Sequence, residues 1–177
     1  MTSLTVRAAT VKDVSSIVRI RLTALTDEEL HGFSAPESAI YSSTEKLQQV
    51  WDRENTLKDG LEVFVAEDAG TIVGFIVFKI ERDYGYIDNL IVAKEKQGKG
   101  IGRELVTYVE DMTKSDGCHL IRTDTTQNAD GVPWKSYGFW THVGYRDTGE
   151  RLPTHYDFKE IQLVKRLESS RKEELMP

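Results

Sequence analysis

The most informative segment of this chain of 177 residues reads Leu90-Ile91-Val92-Ala93-Lys94-Glu95-Lys96-Gln97-Gly98-Lys99-Gly100-Ile101-Gly102-Arg103-Glu104-Leu105. Its centre, residues 97–102, carries glycine at alternating positions. Glycine adopts backbone angles that other residues avoid, and it lets a ligand approach the main chain closely. An apolar strand pattern precedes the loop and an amphipathic helix pattern follows it. At a helix N-terminus, free N–H groups and the helix dipole favour an anion. We therefore interpret the loop as a cradle for a phosphate or pyrophosphate.

Two common nucleotide loops fit this cradle less well. A Walker A loop requires Ser or Thr after Gly-Lys, but Gly100 follows Lys99. A Rossmann loop requires a third glycine where Arg103 stands, although Asp124, about twenty residues on, imitates the ribose-binding acid of that fold. A Rossmann loop also follows the first strand of a βαβ unit, whereas this loop follows a predicted antiparallel meander. Dinucleotide binding is therefore the weaker interpretation.

The periodicity on both sides of the loop predicts one α/β domain with a mixed sheet. Strands are predicted where polar and apolar residues alternate or apolar runs are short, over 4–8, 61–67, 71–80, 86–92, 119–124, 145–148 and 156–165. Helices are predicted where apolar residues recur at helical spacing, over about 11–25, from 43 or 44 towards 57, over 100–113 and over 134–143. Thr10 and Asp13 are a predicted capping box for the first helix. The domain is expected to cover 1–167, with a charged tail over 168–177 that frays.

Composition narrows the range of partners. The formal net charge is −6, so nucleic acid is not an expected partner, and a cationic acceptor is compatible with the charge. There is no apolar run of membrane-spanning length and no secretory signal pattern, so no membrane association is expected and the cytoplasm is the expected location. The single cysteine, Cys118, is interpreted as a packed residue. The four histidines have no metal-like spacing, and no metal is expected.

The segment over 90–105 resembles the main acetyl-CoA motif of the GCN5-related N-acetyltransferases, the GNAT superfamily. The family pattern Gln/Arg-x-x-Gly-x-Gly/Ala corresponds to Gln97, Gly100 and Gly102, and the preceding Leu-x-Val and the helix residue Leu105 also match. The order of predicted elements from residue 4 to about 166 matches as well. The resemblance implies a GNAT fold, with a mostly antiparallel sheet of about seven strands and about four helices, in which two strands splay apart to form a CoA cleft.

The resemblance further implies acetyl transfer from acetyl-CoA to a primary amine in a ternary complex. The main chain of the strand before the loop would pair with the pantetheine arm, and its amides would polarise the thioester carbonyl. The acceptor is expected to be a small-molecule or peptide amine, and a homodimer is among the arrangements that the family adopts. The residues that would hold the cofactor are Leu90, Ile91, Val92, Gln97, Gly98, Lys99, Gly100, Ile101, Gly102, Arg103 and Asn128.

Two catalytic residues are predicted. Asp88 is the first candidate for the base, because an ammonium must lose a proton before it attacks. It is expected to share a strand face with Leu90 and Val92; the alternative is a polar edge residue without a proton-transfer role. The family often supplies an acid from a Tyr at the position where this chain has Trp140, which cannot act as one. Tyr137, one turn earlier, is the predicted replacement. His142 and unassisted departure of the thiolate are the alternatives.

The chain also departs from the family pattern in the loop around Asn128, which is longer than usual before Gly144. We infer that this longer loop lies over the pantetheine channel. Softer candidates for contacts with the acceptor are Glu28, Glu29, Phe33, Tyr41 and Asp130. Two rival functions stay open, namely a non-catalytic acyl-CoA sensor on the same fold, and a transferase with another acyl donor or a hydroxyl acceptor.

Overall fold

The computed structural model describes residues 4–32, 38–154 and 157–168, with residues 28, 31–32 and 38–39 described by their backbone only. The predicted tail lies outside the described residues, apart from Glu168. Phe33 and His155 also lie outside them.

A mixed, mostly antiparallel sheet forms the centre of the molecule. Its strands are β1 (Leu4–Ala8), β2 (Trp51–Arg53), β3 (Thr56–Leu57), β4 (Glu62–Asp68), β5 (Thr71–Ile80), β6 (Gly85–Val92), β7 (Leu120–Gln127), β8 (Arg146–Pro153) and β9 (Lys159–Arg166). The spatial order is β2-β3-β4-β5-β6-β7-β9-β8, and β1 pairs with β4. The only parallel pair among the described strands is β6 with β7. The predicted architecture is confirmed, with nine strands in the described residues instead of about seven.

Helices cover both faces of this sheet. They are α1 (Val14–Ala24), α2 (Asp27–Gly32), α3 (Thr44–Val50), α4 (Ile101–Ser115) and α5 (Lys135–His142). Alternate side chains of β4 and β5 point to opposite layers, as the period of a strand requires. One layer packs Val65 and Phe75 under α1 and α3. The other packs Phe64 and Ile76 under α4 and α5.

The second predicted helix ends earlier than expected. It stops at Val50, and the chain then forms the short hairpin of β2 and β3 instead of continuing to residue 57. The backbone of Glu54 turns through a left-handed conformation with φ of 44°, and its carbonyl accepts a hydrogen bond from the Trp51 indole at 2.7 Å. The buried Asn55 side chain donates to the Val63 carbonyl. Apolar residues that continue the helical spacing therefore belong to a turn that packs against β4.

The first helix is also divided. Residues Val11–Asp13 form a single 3₁₀ turn, and α1 begins at Val14. The predicted capping box is present, because the Asp13 carboxylate accepts from the Thr10 N–H at 2.8 Å. Arg7 binds the same carboxylate at 2.9 Å and holds the pKa of Asp13 below its usual value. This ion pair fixes the start of α1 against β1.

Two irregularities of β6 shape the site. The parallel ladder with β7 runs only from Gly85 opposite Ile121 to Ile87 opposite Thr123, although both strands continue. The two strands therefore diverge beyond Ile87, as predicted. On its other side, β6 pairs with β5, but the register shifts so that Asn89 lies opposite Val77 and Ile87 opposite Phe78. Asp88 is the extra residue of a β-bulge.

Candidate active site

The glycine-rich loop has the backbone that its sequence predicts. Gly98 and Gly100 take φ values of 75° and 84°, in the left-handed region that favours glycine. A Cβ atom at either position would meet no heavy atom within 4 Å, so the space in front of the loop is open. Gly100 is the N-cap of α4, and its carbonyl accepts from the Glu104 N–H. The N-terminus of the 15-residue helix α4 therefore begins beside this open space.

The third glycine, Gly102, has a packing role. A Cβ atom there would lie 3.2 Å from the ring of Phe139 on α5. Absence of a side chain at Gly102 therefore lets the aromatic ring rest on the first turn of α4. This contact sets the distance between α5 and the cradle.

Gln97 ties the loop to the strand before it. Its side-chain amide donates to the Val92 carbonyl at 3.1 Å, and its amide oxygen accepts from the Lys135 ammonium at 3.5 Å. The first residue of the family pattern therefore bridges the end of β6 and the start of α5. This contact locates the cradle at the open end of the two diverging strands.

Three cations near the cradle have different roles. Lys96 forms an ion pair with Asp68 at 2.8 Å and thereby anchors the loop to β4. The Arg103 guanidinium lies 3.0 Å from Nε2 of His142. Lys99 is exposed, and it makes no hydrogen bond or ion pair within the described part of the chain. Of the three, Lys99 is the one most available to a phosphate.

The edge of β6 that faces the diverging β7 lies beside the cradle. It contains Leu90, Ile91 and Val92, whose β7-facing main-chain groups have no strand partner among the described residues because the ladder stops at Ile87. An extended chain can add to such an edge as a further strand. The predicted pantetheine contacts and the predicted phosphate cradle are therefore brought together at one end of β6.

Asp88 lies where β6 and β7 begin to separate. Its side chain is exposed to solvent, but surrounding protein atoms hinder hydration of the charge, and this desolvation raises the pKa of its carboxyl from 3.8 to about 6. The negative charges of Asp59, Asp124 and Glu160 also raise this pKa, and Lys79 opposes them. A carboxylate with this pKa is ionised at neutral pH and holds a proton more readily than an ordinary aspartate.

The predicted shared face of Asp88, Leu90 and Val92 is wrong. Leu90 and Val92 pack against the α4 layer. Asp88 lies on the α1 side, where its charge acts on the buried hydroxyl of Tyr41. The bulge at Asp88 interrupts the alternation of side chains, because it adds one residue to β6 that has no partner on β5.

The predicted acid, Tyr137, faces β8. Its hydroxyl donates to Asp147 at 3.3 Å, and Arg151 binds the same carboxylate at 2.8 Å. Trp140, at the position of the family's usual Tyr, is buried in the α4 layer with its ring against Tyr145. The proton-donor role of Tyr137 stays a prediction.

Asn128 closes the loop that follows β7. Its side-chain oxygen accepts from the backbone N–H groups of Asp130 and Val132, at 3.1 and 2.9 Å. Its own N–H donates to the Val132 carbonyl. Asn128 is therefore engaged in shaping this turn, and its contact with cofactor stays a prediction.

The softer acceptor candidates lie apart from one another. Glu29 caps its own helix by accepting from the Thr26 N–H at 2.8 Å. Asp130 is exposed in the turn that Asn128 closes. Among the candidate side chains that are described, only that of Tyr41 interacts electrostatically with Asp88. The side chains of Glu28 and Phe33 are not described.

Sequence reasoning missed two residues beside Asp88. Tyr86 donates its hydroxyl to Asp124 at 3.0 Å, across the last rungs of the β6–β7 ladder. Burial raises the pKa of both side chains. The parallel pairing of residues 86 and 122 brings them together, and single-sequence periodicity carries no signal for that register.

Two cavities of about 570 Å³ each lie on the outer side of α4. One borders Lys99 and Gly100, and neither contains Asp88. Within residues 4–32, 38–154 and 157–168, no group of three or more His, Cys, Asp or Glu side chains is placed to hold a metal ion. No helix in the same ranges is long and apolar enough to cross a membrane.

Comparison with known proteins agrees with this geometry. The model of the acetyltransferase (GNAT) family matches residues 22–139, which include the diverging strands and the cradle. The chain belongs to the GNAT family of acetyltransferases. Its fold is also that of the family, since the structure of a PaiA N-acetyltransferase from Thermoplasma acidophilum in complex with coenzyme A covers 93% of this chain and 99% of its own length with a TM-score of 0.70. The sequence identity of that pair is 17%.

Two curated proteins are similar in sequence to this GNAT acetyltransferase, and both are glucosamine 6-phosphate N-acetyltransferases. The protein from Candida albicans is 22% identical over 76% of this chain and 91% of its own length. The protein from Trypanosoma brucei brucei is 26% identical over 48% of this chain and 58% of its own length. The GNAT acetyltransferase thus spans little more than half of the trypanosomal relative.

Proposed function

We propose that this protein transfers an acetyl group from acetyl-CoA to a primary amine, by direct attack within a ternary complex. The observation that carries the proposal is the position of Asp88. Its carboxylate lies at the point where β6 and β7 diverge, on the same strand whose far end leads into the glycine-rich cradle. A candidate proton acceptor and a candidate phosphate-binding helix N-terminus thus lie at the two ends of one short stretch of main chain.

The residues around the cradle fit a CoA pyrophosphate. The open space before Gly98 and Gly100 admits an anion, and the N–H groups of residues 98–103 and Lys99 would bind it. The free edge at Leu90–Val92 would pair with the pantetheine arm as an added strand. Phe139 would close the cleft on the α5 side, because it already rests on Gly102.

When bound, acetyl-CoA supplies the acetyl group as an activated thioester. Asp88 would take a proton from the acceptor ammonium, and the neutral nitrogen would then form a C–N bond to the acetyl carbon as the C–S bond breaks, with the second proton of the nitrogen released to solvent. Main-chain N–H groups near Leu90–Val92 would stabilise negative charge on the carbonyl oxygen. The thiolate would leave either unassisted or with a proton from Tyr137, which would have to release Asp147 first.

The acceptor is proposed to be a small-molecule amine. This choice is supported by the two curated relatives, whose names specify an amino sugar phosphate as acceptor. Because these relatives have low sequence identity to this chain, glucosamine 6-phosphate is tested as one of several amines. A peptide amine is the second class of acceptor to be tested.

The test is a turnover assay with acetyl-CoA, in which released CoA thiol is measured with a panel of amines and one N-terminal peptide. The proposal predicts turnover with at least one amine, and a mass increase of one acetyl group in the product. Tight CoA binding without turnover over the panel would instead indicate an acyl-CoA sensor. Tyr137→Phe separates the two routes for the thiolate, since only a proton-donor role predicts a loss of kcat at unchanged CoA affinity.

A further inference from the structure

Two carboxylates face each other across the opening between β6 and β7. Tyr86 lies opposite Arg122 in the parallel ladder, and Asp88 and Asp124 each follow two residues later on the same face. The Tyr86 hydroxyl donates to one oxygen of Asp124. Neighbouring strands are about 4.8 Å apart and these two diverge here, so the Cα atoms of Asp88 and Asp124 are separated by at least about that distance.

Two further carboxylates extend this group. Glu160 on β9 is a diagonal neighbour of Asp124, because Asp124 lies opposite Gln162 and residues two apart share a face. Asp59 lies in the turn between β3 and β4, and its charge acts on both Asp88 and the Tyr41 hydroxyl. We call Asp59, Asp88, Asp124 and Glu160 the acidic face.

Three described cations act on groups of this site: Lys79 lowers the pKa of Asp88, Arg122 lowers that of Asp124, and Arg21 lowers that of Tyr41. Lys79 forms an ion pair with Glu81. The Arg122 guanidinium lies 4.3 Å above the ring of Tyr84. Arg21 is buried on α1, and burial lowers its pKa. Glu81 competes for Lys79, and Tyr84 lies under Arg122, so these cations offset the charges of Asp59, Asp88 and Asp124 only in part.

Two polar atoms at the acidic face are buried without a hydrogen-bond partner. The Tyr41 side chain is 1% exposed, and its hydroxyl has no hydrogen-bond partner in the described structure. The negative charges of Asp88 and Asp59 help to raise the pKa of this hydroxyl. The second carboxylate oxygen of Asp124, Oδ1, is also buried and unpaired. Buried polar atoms are normally hydrogen-bonded, and an unpaired one costs free energy. Both atoms can accept a hydrogen bond, and an ammonium group offers three donors and no acceptor.

From this arrangement, and resting on the proposed function, we infer that the acceptor is a diamine or polyamine whose reacting amine lies between Asp88 and Tyr41 while a second ammonium binds Asp124 and Glu160. The transfer converts the first amine to an amide and releases CoA thiol, and the second amine keeps its charge. The carboxylates are too dispersed for a metal site in the described residues. An anionic sugar phosphate would face four like charges, so this acceptor class is disfavoured.

The test compares n-butylamine with putrescine, which has the same carbon chain and one more ammonium. Binding to the CoA-loaded protein is measured by calorimetry, and turnover is measured by thiol release. A charged hydrogen-bonded contact predicts that putrescine is favoured about tenfold or more in both Kd and kcat/KM. In Asp124→Asn this preference falls towards one. In Asp111→Asn, an equal change of charge on the opposite layer, the preference is retained. Glucosamine and glucosamine 6-phosphate form a second pair, in which the phosphate is expected to weaken binding.

The outcomes separate this inference from the proposed function. Turnover of n-butylamine and putrescine with equal kcat/KM would support the transferase and overturn the diamine site, as would a preference for glucosamine 6-phosphate. Stronger binding of putrescine without any turnover would support the site and sink the transferase. Tyr41→Phe gives an independent measurement, because it should weaken putrescine binding while the free protein unfolds at an equal or higher temperature. Unchanged putrescine binding in Tyr41→Phe would show that Tyr41 is not part of the site.

Discussion

Replacing Asp88 by Asn is expected to reduce activity and to stabilise the free protein in the same experiment. The pKa of Asp88 rises from 3.8 to about 6, chiefly through burial. For a fully buried group this shift of about two units corresponds to about 3 kcal/mol. Because solvent reaches the side chain, we expect about half of that, roughly 1 to 2 kcal/mol, as the cost of the ionised carboxylate to folding.

The sign of the pH dependence follows from the raised pKa. Between pH 3.8 and about 6 the folded protein binds more protons at this site than the unfolded chain, so the free energy of unfolding falls as pH rises through that window. Above it the cost is constant. Asp88→Asn should therefore be more stable than the parent protein at about pH 8 by roughly 1 to 2 kcal/mol, and the gain should disappear near pH 4. Urea unfolding at the two pH values measures this difference.

Activity should respond in the opposite direction. A base with a pKa of about 6 predicts that kcat/KM falls about tenfold for each pH unit below 6. This acid limb lies far from the pKa of an amine acceptor, about 10, so the two titrations can be told apart. Asp88→Asn should lower kcat/KM by about a hundredfold or more at pH 8, with CoA affinity retained. An unchanged acid limb or unchanged turnover in this variant would refute the assignment of Asp88 as base. Asp111→Asn, at an exposed position of α4, should alter neither the acid limb nor the turnover.

Three other perturbations have defined outcomes. Gly100→Glu should weaken CoA binding by well over tenfold, because it forces a non-glycine residue into a φ of 84° and places a like charge in the cradle. Lys165→Met should lower the free energy of unfolding by about 3 kcal/mol and the Tm by about 6 to 12 °C, since it leaves the Glu110 carboxylate, 11% exposed, without its partner at 2.8 Å. Asp59→Asn should move the acid limb of kcat/KM to lower pH, because the charge of Asp59 helps to raise the pKa of Asp88.

Matched variants control these measurements. Gly149→Glu repeats the change at a glycine with a φ of 86° and open space, on β8, so CoA binding should survive there. Adding Glu110→Met to Lys165→Met should recover much of the lost stability, because both charges are then absent. In Lys79→Met the acid limb should move to higher pH, since Lys79 lowers the pKa of Asp88. Movement of the acid limb in the same direction in Asp59→Asn and Lys79→Met would argue against Asp88 as the titrating group.

The cradle could be predicted from the sequence because all of its determinants lie within one short segment. Gly98 and Gly100 need left-handed backbone, and α4 begins where the amphipathic pattern begins. The divergence of β6 and β7 followed from the family resemblance and is confirmed. By contrast, the helix predicted to reach residue 57 ends at Val50, because Trp51 and Leu57 pack in a hairpin whose apolar spacing imitates a helix.

The acceptor side could not be predicted in the same way. Asp59, Asp124 and Glu160 are distant in the chain, and only cross-strand register brings them near Asp88. The bulge at Asp88 has no glycine or proline to mark it, so strict alternation placed its side chain on the wrong face. Partners that belong to one segment were predictable, whereas partners joined by the register of distant strands were not.

The bulge at Asp88 has a consequence for how this enzyme can change. One extra residue turns the carboxylate towards the α1 side while the main chain just beyond it still borders the cradle. The acetyl donor would be held mainly by backbone, and the acceptor mainly by side chains of β6, β7 and β9. Under the proposed function, substitutions on the β6, β7 and β9 side chains would therefore alter which amine is accepted without remodelling the glycine-rich loop, so selectivity could drift in evolution or be redesigned in the laboratory as a separable trait.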